Sequence, residues 1–267
     1  QLPLASSPQR YFVNIFSGFK TSSEMNKPMI KQSLAVVLIS GFMLDQSLWD
    51  DFVQELPSEW QMIRANLSHG NSIPEIAQYM IRSLPPKCIL IGFSLGGYVA
   101  RSIAEQFPEQ VSALILIASS LRSDTAQQRQ QKMMVIKLSS KEIFKGLSST
   151  AIQKTLHPSN NHNDRLIHKI QKMGQHLGYD TFVRQSLLNR NEQDTTKILC
   201  PTLIIYSEQD QIRSADEANE LHQQIKGSDL AVIENTGHMI PLEQPRILAQ
   251  VVLKWLNRDY LSSQFEK

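Results

Sequence analysis

Gly92-Phe93-Ser94-Leu95-Gly96-Gly97 sits between the apolar run Cys88–Phe93 and a helical pattern over Leu95–Phe107 that Pro108 closes. A G-x-S-x-G string is short and weak alone. Its meaning comes from the flanks, because the nucleophile elbow requires a buried strand before the serine and a helix after it. The sharp turn forces the serine backbone into strain, and small residues two positions before and two after it prevent a clash. The hydroxyl then stands above the strand ends, and the Leu95 amide at the helix N-terminus points toward any oxyanion formed there. A phosphate-binding loop does not fit, since no Gly-Lys-[Ser/Thr] follows.

Working outward, the same rhythm recurs. Leu34–Ser40, Gln61–Leu67, Cys88–Phe93 and Val111–Ala118 read as strands. Helical patterns separate them: Leu48, Trp49, Phe52, Val53 and Leu56 in the first, Ile73–Leu84 in the second. These strands are mostly apolar without alternation, as expected of parallel strands covered on both faces. Strand–helix alternation predicts an α/β fold with a doubly wound, mostly parallel sheet. The rhythm breaks over residues 121–197, which read as several helices. It returns with Pro201–Ser207, a helix over Ala215–Ile225, a strand at Leu230–Glu234 and a last helix with Ile247, Leu248, Val251, Val252, Trp255 and Leu256 on one face. The expected organisation is a loose N-terminal tail over 1–25, a core formed by 26–120 and 198–267, and a helical cap over 121–197. Met25 is a possible natural start, and Tyr11–Phe16 an added edge strand. Such a cap belongs above the carboxyl ends of the strands, where ligands bind in these sheets.

A serine at neutral pH needs a base, and the base needs an orienting acid. His238, in Thr236-Gly237-His238-Met239, follows the last strand, so its loop falls at the carboxyl edge of the sheet. Asp210 follows the strand ending at Ser207 and reaches the same edge. The order Ser94, Asp210, His238 suits this fold. Glu208, Asp216 and, after another strand, Asp124 are alternative acids.

With elbow, acid, histidine and the Gly41…Trp49 segment in hand, the chain resembles the α/β-hydrolase superfamily from Leu34 to Leu256. The resemblance implies a serine hydrolase acting on a carboxylic ester or similar acyl compound, with catalytic Ser94, Asp210 and His238 and no cofactor. It also implies an oxyanion hole made by the backbone N–H groups of Phe42 and Leu95. Where the superfamily usually has His-Gly, this chain has Ser40-Gly41, which leaves the backbone donor in place but changes the local packing. Trp49 matches a structural position. A lactonase, a carbon–carbon hydrolase or an acyltransferase on the same triad is the alternative, and a ligand-binding receptor that keeps the fold is a more distant one. An aspartate at position 94 would have implied haloalkane or epoxide chemistry.

The whole-chain figures bound these readings. Of 267 residues, 41% are hydrophobic and 19% charged, with a formal net charge of +2. This argues against disorder, and the near-neutral total makes no case for nucleic acid. No apolar run approaches the ~20 residues of a transmembrane span. Cys88 and Cys200 fit no metal spacing and read as free buried thiols, consistent with a cytoplasmic setting. His157, His162, His168 and His176 form no metal-ligand pattern. Met133, Met134, Phe144, Leu147 and Met173 read as cap packing. Charge is unevenly spread: residues 121–197 hold 13 Lys+Arg against 6 Asp+Glu, a formal +7, and the rest carries a formal −5. Lys137, Lys141 and Lys145 recur at helical spacing, as do Arg165, Lys169 and Lys172, and each set is expected on one helix face. The Ser-Leu-Gly-Gly elbow and small cap are similar to those of the pimeloyl-acyl-carrier-protein methyl ester esterases, which implies an acidic carrier protein as a partner of this basic cap.

Overall fold

A strand that is apolar at every position must bury both faces, and the computed structural model satisfies that demand. It describes residues 34–190 and 195–260. The tail over 1–25, the expected core start at 26 and the edge strand at Tyr11–Phe16 lie outside the described residues. Strands β1 (Ala35–Ile39), β2 (Gln61–Ala65), β3 (Cys88–Phe93), β4 (Val111–Ile117), β5 (Thr202–Tyr206) and β6 (Asp229–Val232) form one sheet in the order β2-β1-β3-β4-β5-β6. Every pairing is parallel. Helices α1 (Asp50–Gln54), α2 (Ile73–Ile81), α3 (Leu95–Gln106), α4 (Ala126–Leu138), α5 (Ser149–Gln153), α6 (Asp164–Leu187), α7 (Ala215–Gln224), α8 (Ile240–Glu243) and α9 (Pro245–Trp255) complete the described elements, apart from short irregular helical turns.

Successive side chains of each strand leave on opposite faces and feed two separate cores. Val36, Leu38, Ile89 and Ile91 pack with α1 and α9. Val37, Ile39 and Leu90 pack with α2, α3 and α7. The sheet is thus doubly wound. After β1 the chain adds β2 on one side and then crosses to β3 on the other, so the strand order reverses at β1/β3. A crevice at the carboxyl ends of strands opens at such a reversal. The loops following β1 and β3 are Ser40–Leu44 and the elbow itself.

Between β4 and β5 the described residues form helices and no strand. Helix α6 is broken at Gly178, whose φ of +78° and ψ of 174° are not helical. Ile152, Leu156, Ile167, Ile170 and Met173 of this segment join the first core, and Leu147 packs against it. Helix α4 behaves differently from expectation. None of its side chains is buried, and Met133 and Met134 are exposed rather than packed. Its polar half (Ala126–Lys132) and apolar half (Met133–Leu138) are separated along the axis instead of around it, so no apolar face exists to bury. The lysine periodicity also misleads. Helix α4 ends at Leu138, with Ser139 already extended, so Lys141 and Lys145 lie in the turns beyond and share no helix face with Lys137. Arg165, Lys169 and Lys172 do lie on one helix, in the first half of α6.

Candidate active site

Ser94 occupies the turn between β3 and α3 with φ +50° and ψ −112°, a left-handed conformation that L-residues avoid. The strain expected of the elbow is therefore present. The turn is held by Ser94 N–H donating to the Ile117 carbonyl at 2.8 Å and by Ser119 Oγ donating to the Ser94 carbonyl at 3.0 Å. Gly96 has no room for a side chain, since a Cβ there would run into the Ile39 and Ser40 carbonyls. That close approach brings the end of β1 against the elbow.

His238 Nε2 lies 3.0 Å from Ser94 Oγ, and His238 Nδ1–H donates to Asp210 Oδ2 at 2.7 Å. The second Asp210 oxygen accepts the N–H groups of Ile212 (2.7 Å) and Arg213 (2.9 Å), which orients the carboxylate from behind. The imidazole packs 5.1 Å from the Phe93 ring, centroid to centroid. All three side chains are buried, with relative exposures of 8%, 4% and 8% for Ser94, His238 and Asp210. Of the alternative acids, Asp124 is engaged elsewhere, by Lys132 and by Arg190 at 3.1 Å.

The loop after β1 completes the surroundings of Ser94. A Cβ at Gly41 would stand 3.3 Å from Ser94 Cβ, so Gly41 lies alongside the serine and Phe42 follows it in the chain. Leu95 is the first residue of α3, where helix N–H groups have no partner within the helix. Ser40 fills the place of the missing histidine with hydrogen bonds: its Oγ accepts Trp49 Nε1–H at 3.0 Å and donates to the Asp45 carbonyl at 3.0 Å.

Three residues that sequence reasoning passed over also shape the site. Thr155, after α5, accepts the His238 N–H at 2.7 Å. Glu243 collects four donors: His157 N–H (2.8 Å) and Asn160 Nδ2 (2.9 Å) from the helical segment, Gly237 N–H (2.8 Å) and Thr236 Oγ1 (3.1 Å) from the histidine loop. Gly237 permits this junction, since a Cβ there would lie 2.5 Å from the Leu156 carbonyl carbon. Gln185 of α6, 2% exposed, accepts the Met43 N–H at 2.8 Å. The only sequence signals for these were a glutamate just after the Thr-Gly-His-Met string and a glutamine inside a helical pattern.

The four histidines of the segment are dispersed. His157 bonds to Ser159, His168 to the Asp164 carbonyl and His176 to Asp45. Among the described residues no group of three or more His, Cys, Asp or Glu could hold a metal ion. Nor is any described helix long and apolar enough to cross a membrane. Lys141 and Lys169 are engaged by Asp180 (2.9 Å) and Asp51 (3.0 Å). Both cysteines are free, Cys88 buried as expected and Cys200 only half-buried, and burial of the sulfur pushes each thiol up to about 11.

Comparison with known proteins agrees with the architecture. The family model described as "Serine aminopeptidase, S33" matches residues 74–245. A Bacillus subtilis protein provisionally named 2-succinyl-6-hydroxy-2,4-cyclohexadiene-1-carboxylate synthase is 27% identical over 254 residues, covering 84% of this chain and 90% of its own length. The pimeloyl-[acyl-carrier protein] methyl ester esterase of Neisseria meningitidis is 25% identical over 219 residues, 76% of this chain and 86% of the relative. Among solved structures, a thermophilic esterase from Thermogutta terrifontis superposes with a TM-score of 0.73 at 22% identity, covering 85% of this chain and 90% of that one.

Proposed function

The chain belongs to the α/β-hydrolase family described as serine aminopeptidase, S33, and from that membership we propose that it is a serine esterase working through an acyl-enzyme. The observation that carries the reading is the unbroken line from Ser94 Oγ through His238 to Asp210, at 3.0 and 2.7 Å. Ser94 Oγ attacks the ester carbonyl while His238 Nε2 takes its proton. Asp210 holds the Nδ1–H tautomer and stabilises the imidazolium. The N–H groups of Phe42 and Leu95 receive the tetrahedral oxyanion. Collapse expels the alcohol, which takes the proton from His238. Water, activated by the same imidazole, then attacks the acyl-enzyme and frees the acid and Ser94.

We take residues 121–197 as the cap over this site and the cytoplasm as its setting. For the substrate, we extend the reading to an acyl methyl ester on an acidic acyl carrier protein. The name of the Neisseria relative and the formal +7 of residues 121–197 support it. With Lys141 and Lys169 engaged by acids, the docking charges in this reading are Lys145, Arg165 and Lys172. Cleavage of the carrier-bound ester should fall steeply between low salt and about 0.5 M, because exposed charges screen within ~10 Å at 0.1 M. Lys145→Glu with Lys172→Glu should raise KM for that substrate and spare a small neutral ester.

The mechanism is tested by Ser94→Ala and His238→Ala, each expected to lose about 10³–10⁶ in kcat with the fold intact, and no more when combined. A fluorophosphonate should label Ser94. Near-wild-type turnover by Ser94→Ala would overturn the mechanism, and labelling without turnover across an ester panel would point to a receptor. Because the Bacillus relative is named a synthase, the panel includes a lactone and product analysis, with an aminoacyl anilide to test for peptidase activity.

A further inference from the structure

The turn after β1 carries an unusual restraint. It closes with Leu44 N–H donating to the Gly41 carbonyl at 3.3 Å, which leaves Phe42 and Met43 as its two central residues. Met43 stands at φ +55°, where a turn of this kind normally takes glycine, and its side chain is wholly buried. A side-chain-bearing residue holds such a conformation only when its surroundings over-determine it. The surroundings here come from α6, more than 140 positions further along the chain. Gln185 Oε1 accepts the Met43 N–H at 2.8 Å, and one turn earlier the Phe182 ring packs 6.0 Å from the Phe42 ring. Phe182 is itself braced by Phe144, with ring centroids 5.1 Å apart. The turn is therefore fixed at its own closing bond and again from α6, and the peptide planes on either side of Phe42 have little freedom left.

We propose that Gln185 is a positioning residue for the oxyanion hole, aiming the Phe42 N–H by fixing the Met43 peptide. The proposal rests on the reading of Phe42 as an oxyanion donor. It makes α6 a structural part of the transition-state site as well as a cover over it. Gln185 does not meet the substrate; it acts through the turn.

The test compares wild type with Gln185→Met, which is similar in length but offers no strong acceptor. A short-chain p-nitrophenyl ester and the trifluoromethyl ketone of the same acyl group are the two probes. Loss of one oxyanion donor costs roughly 10²–10³ in kcat, and a displaced donor costs less. The expected result is kcat lower by about 10–100-fold, KM within about twofold, and ketone affinity weakened by the same factor as kcat/KM. A purely structural role would lower the melting temperature without that parallel loss.

Gln185→Asn serves as the second variant if Gln185→Met does not fold. It keeps the amide but withdraws its oxygen from the Met43 N–H by one methylene. Its kcat and ketone affinity should fall together, as in Gln185→Met. A folded variant of either kind with wild-type kcat and ketone affinity overturns the proposal. Ser94→Ala separates the two levels. If it is inactive while both Gln185 variants match wild type, the positioning role fails alone; if it remains active, the esterase reading fails first.

Discussion

Replacing Glu243 by glutamine is expected to lower the melting temperature by about 4–12 °C, and the figure follows from its four donors. One oxygen accepts His157 N–H and Asn160 Nδ2, the other Gly237 N–H and Thr236 Oγ1, all within 2.8–3.1 Å. Glutamine keeps a single oxygen, so whichever way its amide turns, two donors face an NH2 group. A buried donor left without an acceptor costs roughly 1–3 kcal/mol, so two give ~2–6 kcal/mol. Glu243 is half-buried, and water reaching one of the pair brings the cost to the lower part of that range, about 2–3 kcal/mol. For a chain of this size 1 kcal/mol moves the midpoint by about 2–4 °C. The assay is thermal unfolding by circular dichroism at one pH and one protein concentration, with ester turnover measured well below the transition. Because Gly237 adjoins His238, turnover should fall severalfold even in the folded variant. A midpoint within about 2 °C of wild type would refute the reasoning, since the four bonds would then carry no net stability.

Other consequences can be checked with single measurements. Asp210→Asn should cost about 10⁴ in kcat. Asp124→Asn, which releases Lys132 and Arg190, should lower the melting temperature and leave kcat within a few-fold; the reverse pattern would make Asp124 the triad acid. Burial works to raise the Glu217 carboxyl, but hydrogen bonds from Ser120 and Ser214 and the Arg213 guanidinium outweigh it and hold it below its ordinary 4.5. A folded-state pKa that is depressed gives stability present above 4.5 and lost as pH falls through the folded value. Glu217→Gln should therefore be less stable than wild type at pH 7, with the gap closing below about pH 4.5 in acid-denaturation curves. With both thiols near 11, iodoacetamide at pH 8 should label Cys88 and Cys200 about 100-fold faster in denaturant than in the native protein; rapid native labelling would contradict their burial.

The parts of the molecule legible in the sequence were those governed by local rules. Continuous apolar runs such as Cys88–Phe93 announce strands covered on both faces, and all six residues of that run are buried. The elbow glycines record a close approach that any side chain would block. Residues whose partners lie far along the chain left no such trace. Gln185 reads as one more polar position on a helix until the fold brings Met43 to it across 142 residues. Glu243 likewise reads as an ordinary helix glutamate. Lys137, Lys141 and Lys145 failed in the opposite sense: their spacing imitates a helix face, but the Ser139-Ser140 pair interrupts the helix between the first and second. Spacing records a possible periodicity, and only a continuous backbone hydrogen-bond ladder makes neighbours of residues four apart.

The stitching of residues 121–197 to two loops at the site bears on how new enzymes could be made from this one. Chimeras that exchange the segment between β4 and β5 treat it as a cassette with two splice points. Here the segment also supplies the acceptor for His238 N–H through Thr155, two of the donors on Glu243, and the acceptor for Met43 through Gln185. A donor segment grafted at the splice points alone would inherit a glutamate with half its partners missing and a strained turn left to its own closing bond. Successful recombination would have to carry Ser40–Leu44 and Thr236–Glu243 together with the insert, three stretches separated in sequence and inherited as one block.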